Sequence, residues 1–346
     1  MLIDDHQQST PRTATVVRVT PLSRTIRELA LWPDDGIATW SPGSHLTISV
    51  NLQDRGPETE ARAPARPDVR HYSLVGLPDA DVYRIAVKRI EPGRGGSRFV
   101  WRLVEGDRIR IGTPGNHFEL PSDARGALLI AGGIGITPML GMALTLAARG
   151  GPFAMRYAAR SAAELVYVER LRAALGSRLR TLTDDAGERI DLDAEIATLA
   201  DDARLIVCGP HPLLEAARDA WLRAGRSVDR LHFETFGASG SHPSEPFWVE
   251  VRDRGTRLQV GADCTLLDAL NQAGVETLHD CLRGECGLCA VDVVAVDGEI
   301  DHRDVFLSSE EKRSNRRLCA CVSRVAGGGI VIDSGYRPEV RAEVRP

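Results

Sequence analysis

The chain has 346 residues, 43% of them hydrophobic and 26% charged, and a formal net charge of −5. That is too long for one ordinary domain and suits a globular protein of two or three. A mildly acidic chain is a poor match for nucleic acid as its main partner. Its first residues, Met-Leu-Ile-Asp-Asp-His-Gln-Gln, lack the basic and apolar regions of a signal peptide, so the expected location is cytoplasmic.

Up to about Leu120, short β-type runs alternate with turn residues: Ala14–Val19, His45–Val50, His71–Val75, Tyr83–Arg89 and Arg108–Ile111. This spacing predicts an antiparallel β-barrel or sandwich over residues 1–123. The intervening Gln53–Asp68, rich in Arg, Pro, Glu and Ala, reads as a surface loop. Arg70-His71-Tyr72-Ser73 closes one predicted strand and is ordinary in isolation. Its weight comes from Glu91-Pro-Gly-Arg-Gly95-Gly96-Ser97, where glycines precede a helical run over Arg98–Val104 with Ser97 as N-cap. A glycine turn entering a helix presents N–H groups to an anion, and Arg70 adds a charged fork. Tyr72 offers an aromatic face and Ser73 a hydroxyl to a planar ring. The set suits a flavin mononucleotide.

From Ala127 the pattern changes. Gly126–Ala148 is uncharged and long enough to cross a bilayer, but its five glycines and Thr137-Pro138 predict a strand, a glycine loop and a helix instead. Thr137 is a fitting N-cap and Pro138 a fitting first helical residue. The turn Gly132-Gly133-Ile134-Gly135 differs from the G-x-G-x-x-G fingerprint, yet can approach a pyrophosphate. Further runs at Ala154–Tyr157, Ala162–Ala174, Leu205–Cys208 and Leu213–Ala224 predict βαβ units around a parallel sheet over residues 124–237. Cys208-Gly209-Pro210 then puts a polarisable side chain at the sheet's C-terminal edge, where ligands bind. A lone buried cysteine is otherwise a small hydrophobe.

Gly237–Pro246 reads as a small, polar, flexible connector, with residues 238–246 as the linker. Residues 247–346 are mostly β-type, with one helix at Thr265–Ala273. They carry Cys281-Leu-Arg-Gly-Glu-Cys286-Gly-Leu-Cys289 and, about thirty residues on, Cys319-Ala-Cys321. C-x4-C-x2-C plus a distant cysteine is plant-type [2Fe–2S] spacing. Zinc ribbons normally use two separated C-x2-C pairs, and only one is present. Gly284 and Gly287 allow the backbone to wrap closely around a cluster. Cys319 and Cys321 lie two apart on a predicted strand, so periodicity leaves both open as the fourth ligand. Arg283 and Arg303 are candidates for tuning the cluster by charge, or else plain surface arginines.

Taken together these residues resemble the phthalate dioxygenase reductase and vanillate O-demethylase reductase family. The flavin run, the Gly-Gly-Ser turn, Gly132–Pro138, Cys208-Gly209-Pro210, His232–Gly237, the cysteine loop, Asp301-His302-Arg303-Asp304 and Cys321-Val322-Ser323-Arg324 appear in family order. The resemblance implies an FMN-binding barrel, an NADH-binding α/β domain and a C-terminal β-grasp-like ferredoxin domain. Electrons would pass from NADH through FMN and the cluster to a Rieske-type oxygenase or demethylase, or alternatively to a cytochrome P450 or other haem monooxygenase. It places Arg70, His71, Gly95, Gly96 and Ser97 at the FMN, with Tyr72 and Ser73 on its ring. It places Gly133, Gly135 and Thr137 at NADH, Cys208 beside the nicotinamide and Phe236 near the flavin face. Ser73, Cys208 and Phe236 would frame the hydride transfer, and Cys281, Cys286, Cys289 and Cys321 would hold the cluster. A monomer without membrane attachment is implied.

Overall fold

The structure, a computed structural model, describes residues 12–50, 68–78, 81–90, 95–122, 126–236, 240, 242–262 and 264–335. The expected surface loop at 53–67 and the Glu91–Arg94 part of the glycine turn lie outside the described residues. The chain divides into two compact units, Met1–Glu234 and Thr235–Pro346.

The first unit opens with β1 (Arg12–Pro21), β2 (Ile26–Pro33), β3 (His45–Val50), β4 (Asp68–Ser73), β5 (Tyr83–Lys88), the helix α1 (Gly96–Arg102) and β6 (Arg108–Ile111). These strands form an antiparallel sheet in the order β4-β3-β6-β1-β2-β5. A bridge between Leu74 and Ile85, with Val75 N–H donating to Arg84 O at 2.9 Å, joins the two end strands. The sheet therefore closes into a barrel, which leaves no long open edge. Val16, Leu29, Leu31, Leu46, Ile48 and Ile85 fill its interior. The sequence reading missed β2, whose Arg27-Glu-Leu-Ala-Leu run is built from residues that favour a helix.

A second sheet follows. Its elements are β7 (Ala127–Gly132), α2 (Ile136–Arg149), β8 (Phe153–Ala159), α3 (Val168–Leu175), β9 (Leu179–Thr183), α4 (Leu192–Ala197), β10 (Arg204–Gly209), α5 (His211–Arg223) and β11 (Leu231–Thr235). The order is β11-β10-β7-β8-β9, with β10, β7, β8 and β9 parallel. The chain winds outward from β7 through β8 and β9, then returns to β10 on the other side of β7. The switch point between β7 and β10 is where open α/β sheets form their ligand crevice. The expected helix over Ala162–Ala174 is shorter. Tyr167 takes a left-handed backbone (φ 61) and its hydroxyl donates to Glu28 of β2 at 2.7 Å, so α3 starts only after it. Lys88 pairs with Glu164 at 2.9 Å. At Gly141, α2 approaches the barrel so closely that a Cβ would lie 2.1 Å from Gly76 O. Barrel and parallel sheet are thus packed as one unit. Among the described residues no helix is long and apolar enough to cross a membrane, and Gly126–Ala148 folds as the strand, turn and helix read from its glycines.

The second unit has β12 (Phe247–Val251), β13 (Thr256–Val260), α6 (Leu266–Gln272), β14 (Ala290–Asp301), α7 (Ser309–Ser314), β15 (Arg317–Cys319) and β16 (Arg324–Asp333). They form a mixed sheet ordered β13-β12-β16-β14-β15, in which β12 and β16 are parallel. Thr265 and Asp268 cap α6 reciprocally, as their spacing favours. Leu266, Leu270, Val249, Ile330, Ile332 and Leu318 pack its core. The connector is not loose where it is described. Arg303 donates to Ser244 Oγ and His242 O, and Arg324 to Glu245 O, so residues 242–245 are held by two buried guanidiniums. A short polar segment looks flexible until a distant arginine satisfies its carbonyls.

Candidate cofactor sites

In the flavin run, β3 and β4 pair Ile48 with Arg70, Thr47 with His71, Leu46 with Tyr72 and His45 with Ser73. Strand alternation puts Arg70 and Tyr72 on one face and His71 and Ser73 on the other. Tyr72 packs against the barrel core, and burial pushes its phenol up from the ordinary value, opposed by the charge of Arg70. It is therefore a protonated donor at neutral pH. The Arg70 side chain lies across Gly96, where a Cβ would come within 2.7 Å of its Cγ and Nε. Gly95 supplies a left-handed turn (φ 84) and is itself the N-cap of α1. Ser97 is not the N-cap, because the helix begins one residue before it; its Oγ accepts from Ile90 N–H at 3.3 Å. His71 is exposed, with its ring 5.0 Å from that of His45.

Ser73 is buried and donates to Glu234 Oε2 at 3.5 Å. Glu234 is only 1% exposed, and the sequence reading gave it no role. The available signal was the one carboxylate in the strand Leu231–Thr235, next to Phe233. A barrel hydroxyl and a carboxylate of the α/β sheet thus meet at the end of the flavin run. Phe236 belongs to the second unit and is half-buried.

At the switch point, Cys208 of β10 pairs with Ala131 of β7 and is fully buried. The turns after these strands approach through glycine. A Cβ at Gly135 would lie 2.2 Å from Cys208 O, and one at Gly132 would lie 2.6 Å from Pro210 Cδ and 3.3 Å from Gly209 Cα. Gly133 has φ 53 and open space beside it, so a ligand can reach its backbone. Thr137 is not the N-cap either. Gly135 holds that position, and the Thr137 hydroxyl donates to Ile134 O at 3.0 Å, inside the first turn. Gly133, Gly135, Thr137 and Cys208 are therefore brought to one edge of the sheet.

In the second unit Cys281 Sγ accepts three backbone N–H groups, from Arg283, Glu285 and Cys286, each at 3.4 Å. Such a nest suits a thiolate bound to iron. Burial raises the Cys281 thiol and these three donors oppose it. Gly284 and Gly287 have φ near 75. Their missing Cβ atoms leave room for Val322 and Asp304 at the first and for the Phe306 ring at the second. Cys289 Sγ is reached by the thiols of both Cys319 and Cys321, which lower its pKa. Cys319 ends β15, whereas Cys321 sits in the turn beyond it, so the two do not share a strand face as expected. The strand stops because Ser323 N–H turns back to Cys319 O at 3.0 Å. Cys321 also feels Cys281 and the Gly284 N–H. Among the described residues no three His, Cys, Asp or Glu side chains are gathered for a single metal ion; a two-iron cluster takes its thiolates in pairs.

Arg303 is not a surface arginine. It is 5% exposed, and its Nε donates to Asp301 at 2.7 Å. Arg283 pairs with Glu285 at 3.2 Å, and Glu285 accepts from Thr235 N–H at 2.9 Å.

Residues 129–219 match the family of oxidoreductase NAD-binding domains, and residues 249–326 that of 2Fe-2S iron-sulfur cluster binding domains. The chain is 36% identical over 324 residues to the heme-dependent oxidative N-demethylase beta subunit of Ectopseudomonas mendocina (strain ymp), spanning 93% of this chain and 97% of that protein. It is 38% identical over 272 residues to the vanillate O-demethylase oxidoreductase of Pseudomonas sp. (strain HR199 / DSM 7063), spanning 77% and 85%. Among solved structures, phthalate dioxygenase reductase, described as modular for electron transfer from pyridine nucleotides to [2Fe–2S], aligns with a TM-score of 0.70 at 29% identity. That match covers 93% of this chain and 97% of that one. The chain belongs to the phthalate dioxygenase reductase family of NADH-dependent iron–sulfur flavoproteins, whose cofactors are FMN, NADH and a [2Fe–2S] cluster.

Proposed function

We propose that the chain is the reductase component of a multicomponent oxygenase, delivering electrons from NADH to a Rieske-type terminal oxygenase or demethylase. The carrying observation is the cysteine loop, with Cys281 in a three-donor nest, on the same chain as a glycine-lined switch point and the Arg70–Gly96 cradle. When bound, the flavin takes a hydride's two electrons and releases them singly to the cluster, which passes them on one at a time.

The chain's own residues have the following roles. Arg70 and the turn Gly95-Gly96-Ser97 hold the FMN phosphate, with His71 at the rim of that site. Tyr72 and Ser73 meet the isoalloxazine, Ser73 being oriented by Glu234. Gly133, Gly135 and Thr137 admit the NADH pyrophosphate, Cys208 supports the nicotinamide, and Phe236 guards the flavin face. Cys281, Cys286, Cys289 and Cys321 ligate the cluster; the nest on Cys281 and the Gly284 N–H near Cys321 favour charged sulfur there. The domain limits that go with this reading are 1–123, 124–237 and 247–346. A monomer in the cytoplasm fits it.

A second reading keeps the relay and changes the acceptor to a haem protein such as a cytochrome P450. It is favoured by the heme-dependent demethylase to which the chain is 36% identical. Mixing the reduced protein with each purified acceptor separates the two: a Soret shift marks haem reduction, and loss of the Rieske bands marks the first reading.

The test of the whole proposal is an anaerobic visible spectrum during NADH titration, with the released flavin then identified. Bleaching of flavin and cluster bands together, with FMN in the extract, is expected; a protein that stays colourless after reconstitution would overturn it. Within this frame, Arg70→Ala removes a charge-assisted bond to phosphate, worth about 1.5–3 kcal/mol. FMN should then bind roughly 10–100-fold more weakly by fluorescence titration. Gly135→Ala drives a methyl into Cys208 O, and should raise the KM for NADH about tenfold or more while FMN stays bound.

A further inference from the structure

The cysteine loop has one more thiol than a [2Fe–2S] cluster uses. We propose that Cys319 is a reserve ligand, able to replace Cys321 as the fourth thiolate. This rests on the ligand reading given above. The observation is that Cys319 and Cys321 each lie against Cys289. Cys289 O accepts Ala320 N–H at 3.0 Å, which sets Cys289 beside the Cys319-Ala-Cys321 turn. The next residue, Ala290, pairs directly with Cys319 across β14 and β15. From there the thiols of Cys319 and Cys321 both reach Cys289 Sγ.

Both side chains are buried, at 0% and 3% exposure, and both belong to the core that includes Cys289. Neither thiol is in a disulfide. Two features rank them. Cys321 also faces Cys281 and the Gly284 N–H, so it sees both ends of the loop. Cys319 ends β15 and faces Cys289 and Asp304, at one end of the loop only. Cys321 would therefore hold the iron while it is present, with Cys319 two residues away as the spare sulfur. In the exchange, the iron–sulfur bond to Cys321 would break as one to Cys319 forms, and the proton lost by Cys319 would be balanced by one taken up on the released Cys321 sulfur. No electron is transferred.

The test compares Cys321→Ser, Cys319→Ser and the double variant in the full-length protein, each reconstituted with iron and sulfide. The readouts are bound iron and acid-labile sulfide, and the EPR spectrum of the dithionite-reduced protein. FMN content reports folding of the first unit in every case. Cys319→Ser should match the wild type. Cys321→Ser should keep at least half of its iron and sulfide with shifted g-values, and the double variant should lose roughly tenfold or more. A Cys321→Ser protein as empty as the double variant would overturn the reserve role and leave the ligand reading intact. A shifted spectrum in Cys319→Ser with an unchanged one in Cys321→Ser would show that Cys319 is the resident ligand. A double variant that keeps its cluster would overturn both assignments.

Discussion

Replacing Arg303 by Met is expected to destabilise the second unit by about 3–5 kcal/mol, the cost of leaving a buried charge without its partner. Asp301 and Arg303 are 4% and 5% exposed and meet at 2.7 Å. The guanidinium also donates to Ser244 Oγ at 3.0 Å and His242 O at 2.9 Å, and the Arg303 backbone N–H donates to Ser323 Oγ at 3.2 Å. Methionine fills similar volume, so the loss reads out the charge and its hydrogen bonds. At roughly 4–8 °C per kcal/mol for a domain of this size, the transition of the second unit should fall by about 12 °C or more in calorimetry of the holo protein. Arg303→Lys keeps the charge but loses the fork, and should fall between the two. Gly240 is matched to the same pair: a Cβ there would lie 2.0 Å from Asp301 Oδ2 and 2.1 Å from Arg303 Nε. An unchanged transition in Arg303→Met would mean that the pair contributes nothing net.

Gly284→Ala is expected to empty the cluster site while sparing hydride transfer to the flavin. The residue has φ 75, and an alanine there costs about 1–2 kcal/mol in backbone energy alone. Its methyl would meet Val322 Cγ2 at 2.6 Å and Asp304 Cα at 2.9 Å. The valine can turn aside, but the Asp304 backbone is fixed. Its carboxylate accepts from Leu307 N–H at 2.8 Å and from Ser323 Oγ at 3.2 Å, and its carbonyl accepts Lys312 Nζ. Burial works against ionisation of Asp304, yet His302, the Leu307 N–H and Lys312 together hold it below the usual carboxylate range. The loop must therefore move, and with it the Gly284 carbonyl that accepts Val305 and Phe306 N–H. Overpacking adds about 1–3 kcal/mol. Iron and sulfide should drop several-fold, with NADH-to-ferricyanide activity near the wild-type level. A full cluster in this variant would show that the loop can open without loss.

Much of the molecule was legible residue by residue. The short β-type runs His45–Val50 and Tyr83–Arg89, set off by turn residues, marked barrel strands. Gly150 ends α2, being left-handed at φ 73. The cysteine spacing named its cofactor, since two irons and four thiolates leave few arrangements of a short loop. The misreadings share a cause. Ser97 and Thr137 have the right chemistry for an N-cap, yet in each case a preceding glycine turn began the helix earlier. Arg303 looked like surface charge because its partner's burial depends on how β14 ends, and Glu234 gained a contact only when the α/β sheet met the barrel.

The sequence by itself determined which cofactors the chain uses, because glycine turns and cysteine spacing are set by near neighbours. Only the tertiary structure decided which glycines are obligatory, which hydroxyl meets a buried carboxylate and which thiol faces both ends of the cysteine loop. Those depend on contacts between residues far apart in the chain: 161 positions separate Ser73 from Glu234. Such contacts form when apolar faces pack, and no local pattern encodes their distance.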